Sequence, residues 1–229
     1  MIPITSEQDK AQLKEHALSL LEQDNYQGLV ILINELQDTD FELPKDFNPS
    51  NGLCRASFEG RVEVVKYLVE HGADIQANSG EALCWAAKYG NLELVKYLVE
   101  HGSDIHANDD YALQWAAQKG HLEVVKYLVE QGADVRAEED ESLRRASENG
   151  HLEVVKYLVE QGADIHAWKD YALRWASMEG HLEVVKYLVE HGADIHAAND
   201  SALKGAAEYG HAEVVEYLEG VLKNDNTHQ

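Results

Sequence analysis

Gly150-His-Leu-Glu-Val-Val-Lys-Tyr-Leu-Val-Glu-Gln-Gly-Ala-Asp164 is one of six near-copies of a phrase that returns every thirty residues. The copies open at Gly60, Gly90, Gly120, Gly150, Gly180 and Gly210. In the copy that follows Gly120, Leu122, Val124, Val125, Leu128 and Val129 stand three and four apart, with Tyr127 beside them. That spacing puts them on one stripe of an α-helix. Glu123, Lys126 and Glu130 fall on the other side, where i,i+3 and i,i+4 pairs give modest support. Gly132 stands just past the helix, where a left-handed C-cap is wanted. A fixed period of this size means a stack of small units, none able to bury its apolar face alone. The expected fold is therefore an all-α solenoid of stacked helix pairs.

The rest of the unit completes the pair. Ala133-Asp-Val-Arg-Ala137 reads as short and extended, and Glu138, Glu139 and Asp140 as a polar turn. A second, shorter helix is predicted from about Glu141 to Asn149, with Leu143, Ala146 and Ser147 on its inner face. Alanine there lets two helices approach closely. Gly150 ends it.

These words resemble the ankyrin repeat. The 150–164 phrase matches that family's second helix and the start of its loop. Leu83-Cys-Trp-Ala-Ala87 and Leu113-Gln-Trp-Ala-Ala117 keep the leucine and alanines of its Thr-Pro-Leu-His-x-Ala helix. Thr-Pro itself is replaced, for instance by Tyr111-Ala112 and Glu141-Ser142. The period is three short of the family's usual ~33. The missing residues fall between Ala107 and Leu113, where the family carries a hairpin finger, so the fingers are expected to be short or rudimentary. The resemblance covers about residues 50–222, and the short period is most similar to ankyrin arrays of giant DNA viruses and some intracellular microbes. It implies a non-catalytic protein-interaction module, working as a monomer in the cytoplasm, that of a host cell if the chain is viral or an effector. An adaptor that recruits a ubiquitin ligase or other host machinery is the alternative; an enzyme or metal protein is a third, weaker one.

Residues 1–48 read as a helical capping unit. Ser6, Glu7, Gln8 and Asp9 mark a helix start, and Leu13, Ala17, Leu20 and Leu21 give an apolar stripe over about 7–23. Asp24-Asn25 is a break. Leu29-Val-Ile-Leu-Ile33 then takes the place of Val64-Val-Lys-Tyr-Leu68, as in a degenerate first repeat. Repeats 49–222 follow, the last acting as the C-terminal cap, with residues 223–229 as a frayed tail. The two caps give the stack polar ends.

Composition limits the partners. Forty-two acidic against 19 basic residues give a formal charge of −23. That field repels phosphate, so nucleic acid and anionic membranes are not expected as partners, whereas a basic protein is drawn in. No run approaches the ~18–20 apolar residues of a membrane span. Met1-Ile-Pro-Ile-Thr-Ser-Glu7 has neither the basic start nor the apolar core of a signal peptide. Cys54 and Cys84 share a column of adjacent repeats, about 10 Å apart by the repeat spacing, too far for a disulfide. The twelve histidines form no two-plus-two ligand set. No cofactor, metal site or catalytic motif is expected.

Function must then lie where the repeats differ. The column at 55, 85, 115, 145, 175 and 205 reads Arg, Trp, Trp, Arg, Trp, Gly, and its preceding neighbour Cys, Cys, Gln, Arg, Arg, Lys. By resemblance the short helices and loop tips line a concave binding face. Tyr111, Trp115, Arg144, Arg145, Trp168, Tyr171, Arg174 and Trp175 are the expected partner-binding residues, being aromatics and arginines of the kind interfaces favour. Two readings stay open for the tryptophan column: binding surface, or packing residues with arginines stacked between them as a cation–π ladder. Trp168, in a turn, points to binding.

Overall fold

The computed structural model describes residues 7–22, 25–36, 44–45 and 47–225. Ser6, Asp24 and the tail residues 226–229 lie outside the described residues. The described residues form fourteen α-helices and no strand. The first pair is α1 (Glu7–Glu22) and α2 (Gln27–Val30), which runs on as a π-helical turn over Ile31–Glu35. Six further pairs follow: α3 (Pro49–Phe58) with α4 (Val62–Glu70), α5 (Ala77–Lys88) with α6 (Leu92–Glu100), α7 (Ala107–Gln118) with α8 (Leu122–Glu130), α9 (Ala137–Glu148) with α10 (Leu152–Glu160), α11 (Ala167–Met178) with α12 (Leu182–Glu190), and α13 (Ala197–Tyr209) with α14 (Ala212–Asp225). The chain divides into two units, Met1–Ala86 with Asn91–Asp104, and Ala87–Gly90 with Ile105–Gln229. Helix α14 continues three residues past Leu222, where the sequence reading ends it.

In the first unit α1 and α2 cross closely. A side chain at Gly28 would run into the Ala17 carbonyl and the Leu21 side chain, so only glycine fits. Ala17, Leu21, Leu29 and Leu32 are buried there. Pro49 opens α3, and Asn48 caps it by accepting from the Ser50 amide at 3.0 Å. Cys54 and Cys84 are both free. Burial raises both thiols, Cys84 to about 11.

The second unit shows the repeat at its most regular. Val124, Val125 and Leu128 from one helix of a pair, and Leu113, Ala116 and Ala117 from the other, are fully or almost fully buried. Their counterparts in the later pairs repeat the pattern, including Leu143, Ala146 and Ser147 as the sequence predicts. Each buried Leu or Val contributes about 1.5–3 kcal/mol.

Hydrogen bonds join each pair to the one before. His121, His151, His181 and His211 stand just before their helices, and their imidazoles donate Nε2–H to the carbonyls of Lys88, Gln118, Glu148 and Met178 at 2.8–3.0 Å. Each ring lies flat against the glycine that ends the preceding repeat. At Gly150, with φ +75°, an added Cβ would stand 2.6 Å from the His181 ring. Glycine is therefore required twice over, for the left-handed backbone and for the ring.

The turn between the longer and shorter helices is the least expected feature. Glu138, Glu139 and Asp140 all have φ between 51° and 63°, a full left-handed turn closed by Asp140 N–H donating to the Arg136 carbonyl at 3.2 Å. The same turn recurs at Asn78–Gly80, Asn108–Asp110, Trp168–Asp170 and Ala198–Asp200. It stands where the longer repeat of the family would carry its finger. Left-handed conformation costs about 1–2 kcal/mol per L-residue, so the turn needs support. The carboxylates of Asp110, Asp140 and Asp170 supply it by accepting the amides of Asp134, Asp164 and Asp194 in the next repeat at 2.7–3.0 Å. Where Gly80 lacks a carboxylate, Gln76 substitutes: its Oε1 accepts from the Asp104 amide at 3.4 Å and its Nε2 donates to the Gly102 carbonyl.

Two predictions follow from these bonds. Ala198 is exposed in a left-handed position, so Ala198→Gly should raise stability by about 1 kcal/mol, read as a higher thermal midpoint. Burial holds the His151 imidazole below its ordinary value, the Gln118 carbonyl working the other way. Below the unfolded value of about 6.5 the unfolded chain takes a proton the folded one resists. The stability present above that pH is therefore lost as pH falls toward the lower folded value. His151→Asn, which mimics Asn91, should lose less of its thermal midpoint than wild type between about pH 7.5 and 5.5.

Candidate protein-binding face

All eight candidate residues lie in the second unit, on α7, α9 and α11. The right-handed parts of α7 and α11 each hold a Tyr and a Trp one turn apart. Tyr111 meets Trp115 edge-on, with ring centres 5.6 Å apart. Tyr171 stacks on Trp175 at 5.4 Å and 29°. Trp168 stands edge-on to Tyr171 at 6.4 Å.

Cations interleave the rings. Lys88 Nζ sits 3.7 Å from the centre of the Trp115 ring, and the Arg145 guanidinium lies 5.7 Å from it and 5.5 Å from Tyr111. Arg144 lies 4.7 Å from Trp168 and 5.1 Å from Tyr171, and Arg174 5.7 Å from Tyr171. This is the ladder the packing reading describes. Glu141 anchors it from below, pairing with Arg145 Nε at 2.7 Å and with Arg144 Nη2.

The arginine beside the tryptophan column has a second task. Arg144 Nη2 donates to the Glu138 carbonyl at 3.0 Å, and Arg174 Nη1 to the carbonyls of Trp168 and Lys169 at 3.1 and 3.4 Å. Gln114 and Lys204, in the same column, donate to the Asp109 and Asn199 carbonyls at 2.7 and 2.6 Å. From residue 114 onward this column varies in identity yet places a long donor over each left-handed turn, whereas its first two members are Cys54 and Cys84. Variation alone did not mark it as free to bind. The missed signal was chemical: Gln, Arg, Arg and Lys are all reaching donors.

Burial separates the candidates. Arg144 is buried; Tyr111, Trp115, Arg145, Tyr171, Arg174 and Trp175 are half-buried; Trp168 is 55% exposed. Trp168 also holds φ 52°, a position that suits Asn or Gly far better. In the first unit, Trp85 donates Nε1–H to Glu81 at 3.0 Å and meets Phe58 edge-on.

The histidines have local structural partners. His71, His101 and His191 stack on Tyr67, Tyr97 and Tyr187 at 3.9 Å while their Nδ1–H groups donate to the same residues' carbonyls. His106, His166 and His196 donate Nδ1–H to Asp110, Asp170 and Asp200. Among the described residues no group of three or more His, Cys, Asp or Glu is placed to hold a metal ion. No helix among them is long and apolar enough to cross a membrane.

The family profile of ankyrin repeats in three copies matches residues 18–109, 106–167 and 166–227. The chain belongs to the ankyrin-repeat family. A search of the curated proteins finds no match. The first ankyrin match begins inside α1, ahead of residue 50 where the repeat phrase becomes legible, and so takes in α2. Ankyrin repeats are generally protein–protein interaction modules, which directs attention to the face carrying the ladder.

Half-burial sets the expected energetics of that face. Trp115→Ala should cost about 2 kcal/mol, short of the ~3–5 of a fully buried tryptophan. Trp168→Ala should change stability by less than about 0.5 kcal/mol. Chemical denaturation of both variants checks the contrast.

Proposed function

We propose that this chain is a non-catalytic protein-interaction module that holds a basic protein partner on the face formed by α7, α9 and α11. Tyr111, Trp115, Arg144, Arg145, Trp168, Tyr171, Arg174 and Trp175 make up the face. The observation that carries the reading is Trp168. A large aromatic ring is more than half exposed on a strained turn, beside further half-buried aromatics. Aromatic area of this kind is what interface hot spots use. The charge of −23 favours a basic partner.

The chain works as a monomer with capped ends, residues 1–48 at one and the last repeat at the other. The acidic Glu213, Glu216 and Glu219 on α14 support the second cap. The two free cysteines support a place in a reducing cytoplasm. The thirty-residue period supports kinship with the arrays of giant DNA viruses and intracellular microbes, for which the compartment is that of a host cell.

Affinity capture from cell lysate tests the face. Trp168→Ala and Tyr171→Ala together should reduce capture of the partner at least about ten-fold, while Lys156→Ala with Glu160→Ala leaves it intact. Capture that survives the first pair and is lost on changing Lys126, Glu130, Lys156 and Glu160 overturns the assignment.

A further inference from the structure

One ring of the ladder lacks what the others have. Trp115 carries Lys88 from the preceding repeat and Arg145 from the following one. Tyr111 carries Arg145; Trp168 carries Arg144; Tyr171 carries Arg144 and Arg174. Trp175, two repeats on from Trp115 in the same column, has Tyr171 stacked against it and no cation over it among the described residues.

The sequence accounts for the gap on both sides. The residue two repeats on from Lys88 is Glu148, and the residue two repeats on from Arg145 is Gly205. A carboxylate therefore replaces one cation, and a residue without a side chain replaces the other. Gly205 is buried and leaves its place to Met178, whose side chain occupies the position a Cβ would take. Arg145, the nearest guanidinium in the column, is turned toward Tyr111 and Trp115 and paired with Glu141.

Glu148 is itself half-buried, and its carboxylate makes no ion pair or hydrogen bond among the described residues. Burial raises it, and repulsion from Glu179 and Glu141 adds to the shift while Arg145 opposes it. By the repeat register Glu148 takes, relative to Trp175, the place that Lys88 takes over Trp115, so a carboxylate stands where the equivalent ring has a cation. A ring face and a carboxylate together are complementary to an ammonium or guanidinium group.

We infer that Trp175 and Glu148 form a subsite for one cationic side chain, arginine or lysine, of a protein partner. The inference rests on the proposed binding face and names the chemistry it selects. The partner's cation completes on Trp175 the arrangement that Lys88 and Arg145 make on Trp115.

Three Gly-Ser peptides test it, carrying a single arginine, lysine or citrulline. The readout is the Trp175 indole N–H resonance, identified with Trp175→Phe. The arginine or lysine peptide should shift that resonance, and the citrulline peptide should not. Glu148→Lys places a lysine where Lys88 stands relative to Trp115, so the protein fills its own subsite and peptide affinity should fall about ten-fold. Glu123→Lys makes the same charge change on an exposed helix and should leave affinity unaltered, which separates the subsite from general attraction to an acidic protein. Glu148→Gln serves as the second variant should the lysine lower the thermal midpoint, with a loss in the same direction. Equal binding of the citrulline peptide, or unaltered binding by both Glu148 variants, overturns the inference. Trp168→Ala should leave the peptide response intact; if it abolishes the response, the cation sits elsewhere on the ladder and the subsite is wrong. If Trp168 and Tyr171 prove necessary for partner capture while no cationic peptide moves Trp175, the face stands and the subsite falls.

Discussion

The left-handed turn between the two helices of neighbouring pairs constrains most of what surrounds it. With thirty residues per repeat, the chain reverses through three residues that all sit at positive φ. That conformation is unfavourable for L-residues, and only the Gly80 copy contains a glycine. The turn is therefore held from two directions. A long donor in the following helix, Gln114, Arg144, Arg174 or Lys204, takes its carbonyls. The aspartate that closes it accepts an amide from the next repeat. The second bond means that a repeat lends its neighbour part of the support for the neighbour's loop.

The histidine-to-carbonyl bond couples neighbours at the other end of each repeat. Its donor packs on the glycine that stops the preceding helix, so removing either alters both. Stability of such an array is a sum of weak repeats and strong interfaces. The exposed ion pairs, Lys126 with Glu123 or Lys156 with Glu153, add little by comparison because water screens them.

The helix pairs were legible because the valine and leucine spacing repeats six times without interruption. The polar turn at Glu138–Asp140 was also placed correctly, but its handedness was not legible. Glu138, Glu139, Trp168, Lys169 and Ala198 carry no local preference for positive φ, and the conformation is imposed by what lies on either side. The site was legible in part. Trp, Tyr and Arg at differing positions marked the right stretch of chain, and the structure brings them into one ladder. That Arg144 and Arg174 also brace a turn could not be read from differences between repeats, since Gln, Arg and Lys perform the same bond with different side chains.

This division of labour changes what the face offers a partner. On a chain with nineteen basic residues against forty-two acidic ones, composition alone singles out the cations of the ladder as binding groups. In the structure they are engaged: Arg144 and Arg145 with Glu141, Arg174 with two carbonyls, and Lys88 with a ring. A partner carboxylate would have to compete with these bonds. Aromatic faces and carboxylates are what is left open: Trp175 carries none of the ladder's cations, and Trp168 keeps more than half its surface exposed beside Arg144. An acidic array that satisfies its few arginines internally, while leaving ring surface bare, selects positive charge through both long-range attraction and close contact.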